Sequence, residues 1–127
     1  MLAGLFLGAT MQSVNKLAGT NWSLVKVSKG TDTQFADTTC HTTLIFDQKG
    51  RYSGYSGWNT FSGKYSITSK GKLAMNNPIR TKRAGRPGCM LGETLYDYFP
   101  KVNSFSLWAD TLMISTTDHI KMVYVKK

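Results

Sequence analysis

The stretch Thr43–Tyr65, TLIFDQKGRYSGYSGWNTFSGKY, decides the fold, because its short apolar runs are broken by glycines at Gly50, Gly54, Gly57 and Gly63. Such punctuation reads as strand, tight turn, strand, turn, strand. In the first run Leu44 and Phe46 share one face while Ile45 and Asp47 share the other, the alternation of a half-buried strand. Gly50 is placed to supply the positive φ that a reversal needs, and an aromatic-rich return follows at once. A meander of this kind belongs to a small antiparallel sheet or barrel.

Toward the N-terminus, Leu17–Val27 reads as a strand opened by a turn at Gly19, with Trp22 and Leu24 on one face. Trp22 is expected to plug one end of a barrel core. Ser28–Thr39 is polar and reads as a loop carrying a short strand around Phe35. Met1–Thr10, MLAGLFLGAT, is apolar and uncharged, like the hydrophobic region of a secretory signal peptide without its basic start. Residues 1–16 are therefore read as a leader remnant or N-terminal extension, and 17–127 as one β domain. No Cys follows Leu7-Gly8-Ala9, so lipid attachment is not expected. Export to the periplasm or envelope is.

Toward the C-terminus, Ile67 closes one strand, Ser69–Lys72 turns, Leu73–Met75 starts another and Asn76-Asn77-Pro78 stops it. Arg80–Gly88, RTKRAGRPG, is the densest basic run, and its Gly and Pro residues oppose regular structure. Gly85 and Pro87 are expected to hold this loop off the sheet, leaving Arg80, Lys82, Arg83 and Arg86 as a candidate docking site for an anion or acidic partner. The competing reading leaves the arginines solvated or pairs them with Glu93 and Asp97. Cys89–Phe99, CMLGETLYDYF, reads as the one helix, because Leu91, Leu95, Tyr98 and Phe99 form a single stripe. Gly92 inside it points to close packing on the sheet. Strands Ser104–Trp108, Thr111–Ser115 and His119–Val125 follow, joined by turns at Ala109-Asp110 and Thr116–Asp118.

Composition narrows the function classes. A chain of 127 residues with 41% hydrophobic and 18% charged residues is one globular domain, and no apolar run reaches the ~20 residues of a membrane-spanning helix. The formal net charge of +9 either serves only to keep a small exported domain soluble or attracts anionic partners such as an acidic envelope protein or an anionic surface, and charge alone does not choose between them. Nucleic acid is not expected, since no RRM, OB-type or helix-turn-helix motif is present. Cys40 is followed by His41, yet strand neighbours face opposite ways, and Cys40, Cys89, His41 and His119 have no metal-site spacing. The seven carboxylates are scattered and the two histidines lie in no catalytic motif, so neither an enzyme nor a metal or cofactor site is expected. As the only two cysteines of an exported chain, Cys40 and Cys89 are expected to be paired or close together.

The run Gly57-Trp58-Asn59-Thr60-Phe61-Ser62-Gly63-Lys64-Tyr65 resembles the Gly-Cys-Asn-x-Phe-x-Gly-x-Tyr signature of the META domain family of HslJ-like bacterial envelope and heat-shock proteins. Gly57, Asn59, Phe61, Gly63 and Tyr65 match, and Trp58 stands where the family has Cys. The Leu17, Gly19, Trp22 and Leu24 opening is similar to the family's first strand, although lipocalins open comparably. Thr81, Cys89 and Glu93 resemble a Thr, Cys and Glu at the start of the family's helix, and the likeness covers about residues 17–125. It implies that the helix-side Cys89 lies near the signature, so Cys89 packed unpaired against Trp58 is the alternative to a bridge with Cys40.

The expected fold is mainly β (α+β): a small cracked antiparallel barrel of roughly seven to eight strands with one helix against an open edge. Its core is expected to hold Trp22, Leu44, Phe46, Phe61, Tyr65, Leu95, Leu107, Met122 and Tyr124. The expected function is that of a monomeric, non-enzymatic exported domain, whose role in envelope stress tolerance, assembly or binding is what the resemblance implies. The alternatives are a lipocalin-like carrier of an apolar ligand and a hydrolase inhibitor, lysozyme being opposed by like charge.

Overall fold

The computed structural model describes residues 15–127 apart from Ser69 and Arg86, so the leader-like segment and one cation of the basic loop lie outside the described residues. The elements in order are β1 (Thr20–Lys29), β2 (Asp32–Phe35), β3 (Thr43–Phe46), β4 (Arg51–Tyr55), β5 (Thr60–Ile67), β6 (Leu73–Met75), β7 (Ile79–Arg80), α1 (Leu91–Tyr98), β8 (Val102–Trp108), β9 (Thr111–Thr116) and β10 (Ile120–Lys126). Eight strands run in the order β6-β5-β4-β3-β1-β10-β9-β8. Every neighbouring pair is antiparallel. The path curls into a nearly closed barrel whose β6 and β8 ends approach without pairing. Two short strands extend it, β2 on the far half of β1 and β7 on β5.

Alternation along the strands fills the interior. Leu44 and Phe46 on β3 are fully buried, and the first turn reverses through Gly50 at φ +86°. Asp47 fixes that turn by accepting from the backbone N–H of Lys49 and of Arg51, each at 2.8 Å. The Arg51 bond is the main reason the Asp47 carboxyl titrates below its usual range. Trp22 is 2% exposed, and its Nε1–H donates to Thr20 Oγ1 at 2.7 Å, which satisfies the one polar atom of a buried indole. At the other end Phe99 lies between Tyr52 and Phe61, with ring centroids 5.3 and 5.5 Å away. The first contact is edge-on and the second tilted, and aromatic pairs of this kind add to the apolar burial of each ring.

Several expectations shift. The helix begins two residues after Cys89 and lies across the barrel end formed by the β4–β5 connection and β1–β2, where Gly92 meets the carbonyl of Ser56. Its continuation, a 3-10 turn over Phe99–Lys101, contains Pro100 and leads directly into β8. The buried helix face is Leu95, Tyr96 and Phe99, while Leu91 and Tyr98 are half-buried. Leu107 is half-buried as well, because β8 is an end strand with only β9 to cover it. His119 is not a strand residue: it takes φ +65° in the β9–β10 turn, and β10 starts at Ile120. Arg80 belongs to β7, paired across from Phe61, and not to the irregular loop.

Replacing Phe99 by Ala removes a fully buried ring from the contact between helix and barrel. Chemical denaturation should report a loss of about 3–5 kcal/mol, against less than ~0.5 kcal/mol for Trp108→Ala at an exposed position.

Candidate functional site

Gly57, Asn59, the two cysteines and the basic loop, all singled out in the sequence, meet at one end of the barrel around the turn that joins β4 to β5. The turn runs Ser56-Gly57-Trp58-Asn59 and is closed by the Ser56 N–H donating to the Asn59 carbonyl at 2.8 Å. Ser56 Oγ accepts from the Asn59 N–H at 3.0 Å and from the Trp58 N–H at 3.3 Å. Gly57 sits at φ +116°, where a side chain is disfavoured, and an added Cβ would lie 3.0 Å from Cys89 Cβ and 3.4 Å from Cys40 Cβ. Those cysteines form a disulfide with Cα atoms 5.6 Å apart, packed directly on the turn. The place beside Gly57 is thus taken by the Cys40–Cys89 bridge, and Trp58 lies against Gly85 of the basic loop.

The remaining signature positions each have a packing task. Phe61 is 4% exposed within the ring cluster of Tyr52, Tyr96 and Phe99. Gly63 leaves room for the Tyr52 ring, because an added Cβ would stand 2.6 Å from its Cε2. Tyr65 donates its hydroxyl to the Asp47 carbonyl at 2.7 Å and accepts from Asn15 Nδ2 at 3.1 Å, joining β5 to the β3–β4 turn. Asn59 is 2% exposed and uses both ends of its amide. Its Oδ1 accepts from the Arg83 N–H at 2.8 Å and from Thr81 Oγ1 at 2.9 Å, while its Nδ2 donates to Glu93 Oε1 at 3.3 Å.

Glu93 is the centre of the arrangement. It stands in the first turn of α1, where the helix dipole favours a negative charge, and its side chain is 11% exposed. Oε2 accepts from Ser56 Oγ in a short hydrogen bond and from the Tyr96 hydroxyl at 2.7 Å. Oε1 accepts from Asn59 Nδ2 and, at 3.0 Å, from Arg80 Nη1. The Arg80 guanidinium also lies over the Tyr96 ring, 4.6 Å from its centroid. Burial by itself pushes the Glu93 carboxyl up, but the donors around it, Ser56 foremost, more than offset that and hold it below its ordinary 4.5. Trp58 Nε1–H is buried without a hydrogen-bond partner of ordinary geometry. Tyr96 is pushed up to about 12, chiefly by desolvation.

This geometry revises the basic loop. Asn59 ties it to the turn through Thr81 and Arg83, and Gly85 rests on Trp58, so the loop lies on the barrel and is not held off it. Arg80, itself partly exposed, is paired with Glu93, whereas Lys82 and Arg83 are exposed without a place in that pair. Ser56 and Tyr96 belong to the cluster without having stood out in the sequence. Among the described residues no three of His, Cys, Asp and Glu gather as a metal site, and no helix is long and apolar enough to cross a membrane. A carboxylate held ionised by four donors anchors its neighbours; it is a poor proton acceptor and has no orienting histidine.

A nearly closed eight-stranded barrel, capped by a short helix and carrying this turn, defines a class of small α+β barrel domains. The META domain family model matches residues 15–127, and the chain belongs to that family. Among solved structures the fold resembles a protein from Burkholderia xenovorans, with a TM-score of 0.70 and 18% identity over 87% of this chain and 83% of that one. It also resembles a DUF4847 family protein from Bacteroides vulgatus, with a TM-score of 0.60 and 12% identity over 87% and 94% of the two chains. A third structure shares 21% identity with a TM-score of 0.63, covering 87% and 91%. These likenesses are of fold. No curated protein matches the sequence.

Two titrations test the cluster. Because Glu93 is lowered in the folded state, its contribution is present above 4.5 and is lost as pH falls through its folded value. Glu93→Gln should therefore cost about 2–4 kcal/mol at neutral pH and flatten the acid limb of a stability–pH curve measured by denaturant unfolding. At the alkaline end Tyr96, Tyr52 and Tyr124 are all raised above 10.0. Their contribution is complete below 10.0 and declines as pH rises through about 12 for Tyr96, so tyrosinate absorbance and loss of circular dichroism should appear together.

Proposed function

We propose that the chain is a non-enzymatic, exported META domain that binds another component of the cell envelope, in stress tolerance or assembly, through the loop carrying Lys82 and Arg83. The observation that carries this reading is the division of labour within the loop. Asn59, Glu93 and Trp58 engage Thr81, the Arg83 backbone, Arg80 and Gly85, while the side chains of Lys82 and Arg83 stay exposed. A loop fixed at its backbone presents charge without the entropic cost of ordering it on contact. Arg83 adds a planar fork suited to carboxylate or phosphate. The signature residues supply packing and hydrogen bonds, which supports a binding role over catalysis. The interior is occupied by Trp22, Phe46, Tyr52, Phe99 and Tyr124, all at most 2% exposed, which argues against a carrier with a lumen.

Lys82→Gln/Arg83→Gln should leave the melting temperature within about 2 °C, because both side chains are solvated. In co-sedimentation with isolated envelopes it should lose the salt-sensitive part of binding. Unchanged sedimentation would assign this loop to solubility. Arg80 is excluded from the variant because its loss would disturb Glu93.

A further inference from the structure

The net positive charge of this protein falls within one segment of the sequence. From Gln48 to Gly92 the sequence holds nine Lys and Arg and no carboxylate, whereas the rest of the chain holds seven of each sign. The fold keeps that segment together, since β4, β5 and β6 are consecutive at one end of the strand order and β7 lies on β5. The strands β1, β10, β9 and β8 at the other end of the strand order belong to the electrically balanced part.

Within this half the strands carry their own cationic centre, separate from the loop. Arg51 and Lys64 stand directly opposite each other on β4 and β5, a like-charge pair that a sheet disfavours. Lys49 and Lys64 flank an open groove of about 460 Å³ with Gly50, Ser66 and Ala74 along it. Asp47, just outside the segment, is the carboxylate near Lys49 and Arg51, and its Oδ1 is engaged by their backbone N–H groups. Beside the cations the solvent-facing positions Ser53, Ser62, Ser66 and Ala74 are small, with the half-buried Tyr55 at the far end of β4. Ile79 projects from the same face opposite Ser62 and is 77% exposed.

We propose that the β4–β5–β6 face, centred on Lys49, Arg51 and Lys64, lies on an anionic phospholipid bilayer. The charge complementarity is direct: clustered cations near a surface of anionic headgroups each add to binding, and an exposed aliphatic side chain among them can enter the interfacial layer. A single-stranded nucleic acid fits less well, because it needs stacking rings, and the exposed aromatic residues Phe35 and Trp108 stand on β2 and β8 instead. This deepens the envelope-binding reading and rests on it for its setting, but it concerns a different part of the surface. Lys64 stands four residues along β5 from Thr60, to which Thr81 at the start of the loop is bonded, about 13 Å and beyond the ~10 Å screening length at 0.1 M salt, so the loop and strand cations are only weakly coupled there.

The test is flotation of the full chain with phosphatidylcholine vesicles containing about a third phosphatidylglycerol, at low salt and at about 0.15 M. The wild type should bind these and not pure phosphatidylcholine, more weakly at the higher salt. Lys49→Gln/Arg51→Gln/Lys64→Gln should bind at least tenfold more weakly, while Lys26→Gln/Lys29→Gln/Lys121→Gln, with the same loss of charge on the balanced half, should change by less than about twofold. Thermal melting controls for folding; if the strand triple melts early, Lys49→Gln/Lys64→Gln makes the same comparison. Equal losses in the two triples would mean attraction by net charge and overturn the proposal. So would binding of inorganic polyphosphate without binding of vesicles. Loss of binding only in Lys82→Gln/Arg83→Gln would leave the loop reading standing and remove this one.

Discussion

The end of the barrel depends on one buried negative charge. Glu93 draws four donors from three places at once: Ser56 and Asn59 in the β4–β5 turn, Arg80 on β7 and Tyr96 one turn along its own helix. A carboxylate in a largely buried position is costly unless its lone pairs are filled, and here the donors come from the elements that have to be brought together. The covalent counterpart is the Cys40–Cys89 bridge, which ties the chain just before α1 to the residues preceding β3 and rests on Gly57. The bridge limits how far the helix start can travel; the carboxylate sets its orientation.

The aromatic cluster beneath depends on that placement. Tyr96 contributes its hydroxyl to Glu93 and its ring to Phe61, 5.6 Å between centroids, so one side chain joins the polar layer to the apolar one. Phe99 then reaches Tyr52, whose hydroxyl donates to the Asn76 carbonyl at 2.7 Å at the base of β6. The chain from carboxylate to β6 crosses the barrel near the seam where β6 and β8 do not pair. Side-chain packing there takes over what a backbone ladder does elsewhere in the sheet.

Much of this was legible in the sequence where the pattern had a period. Alternation placed Leu44, Phe46, Met122 and Tyr124 inside, and the glycines marked the turns between strands. The signature resemblance led to the family to which the chain belongs. What escaped had no periodic signal. A two-residue strand such as β7 is too short to show alternation, and Pro78 before it reads as an end. Tyr96 fell outside a stripe drawn from Leu91, because the helix turns its Leu95–Tyr96–Phe99 side to the core. Ser56 looked like any polar turn residue; its role exists only because Gly92 lets the helix come within contact of its carbonyl. Of the two readings of the basic run, the pairing of an arginine with Glu93 holds for Arg80, which the register of β7 with Phe61 turns that way; what the sequence did not show was which arginine.

The two faces of β4 and β5 are set by different demands, and magnitudes show why both can be met. On the outside, Arg51 opposite Lys64 costs some tenths of a kcal/mol to about 1 kcal/mol. On the inside the same strands bury Tyr52, Phe61 and Tyr65, and burial of a large apolar side chain contributes roughly 1.5–3 kcal/mol. The inner face therefore decides whether these strands form, and it leaves the outer face free to carry unfavourable charge. Glycine reinforces the separation: at Gly63 the interior position has no side chain of its own, and the Tyr52 ring covers it from the neighbouring strand. A surface that is electrostatically unfavourable in isolation can persist on a fold whose stability is settled on the other side of the sheet.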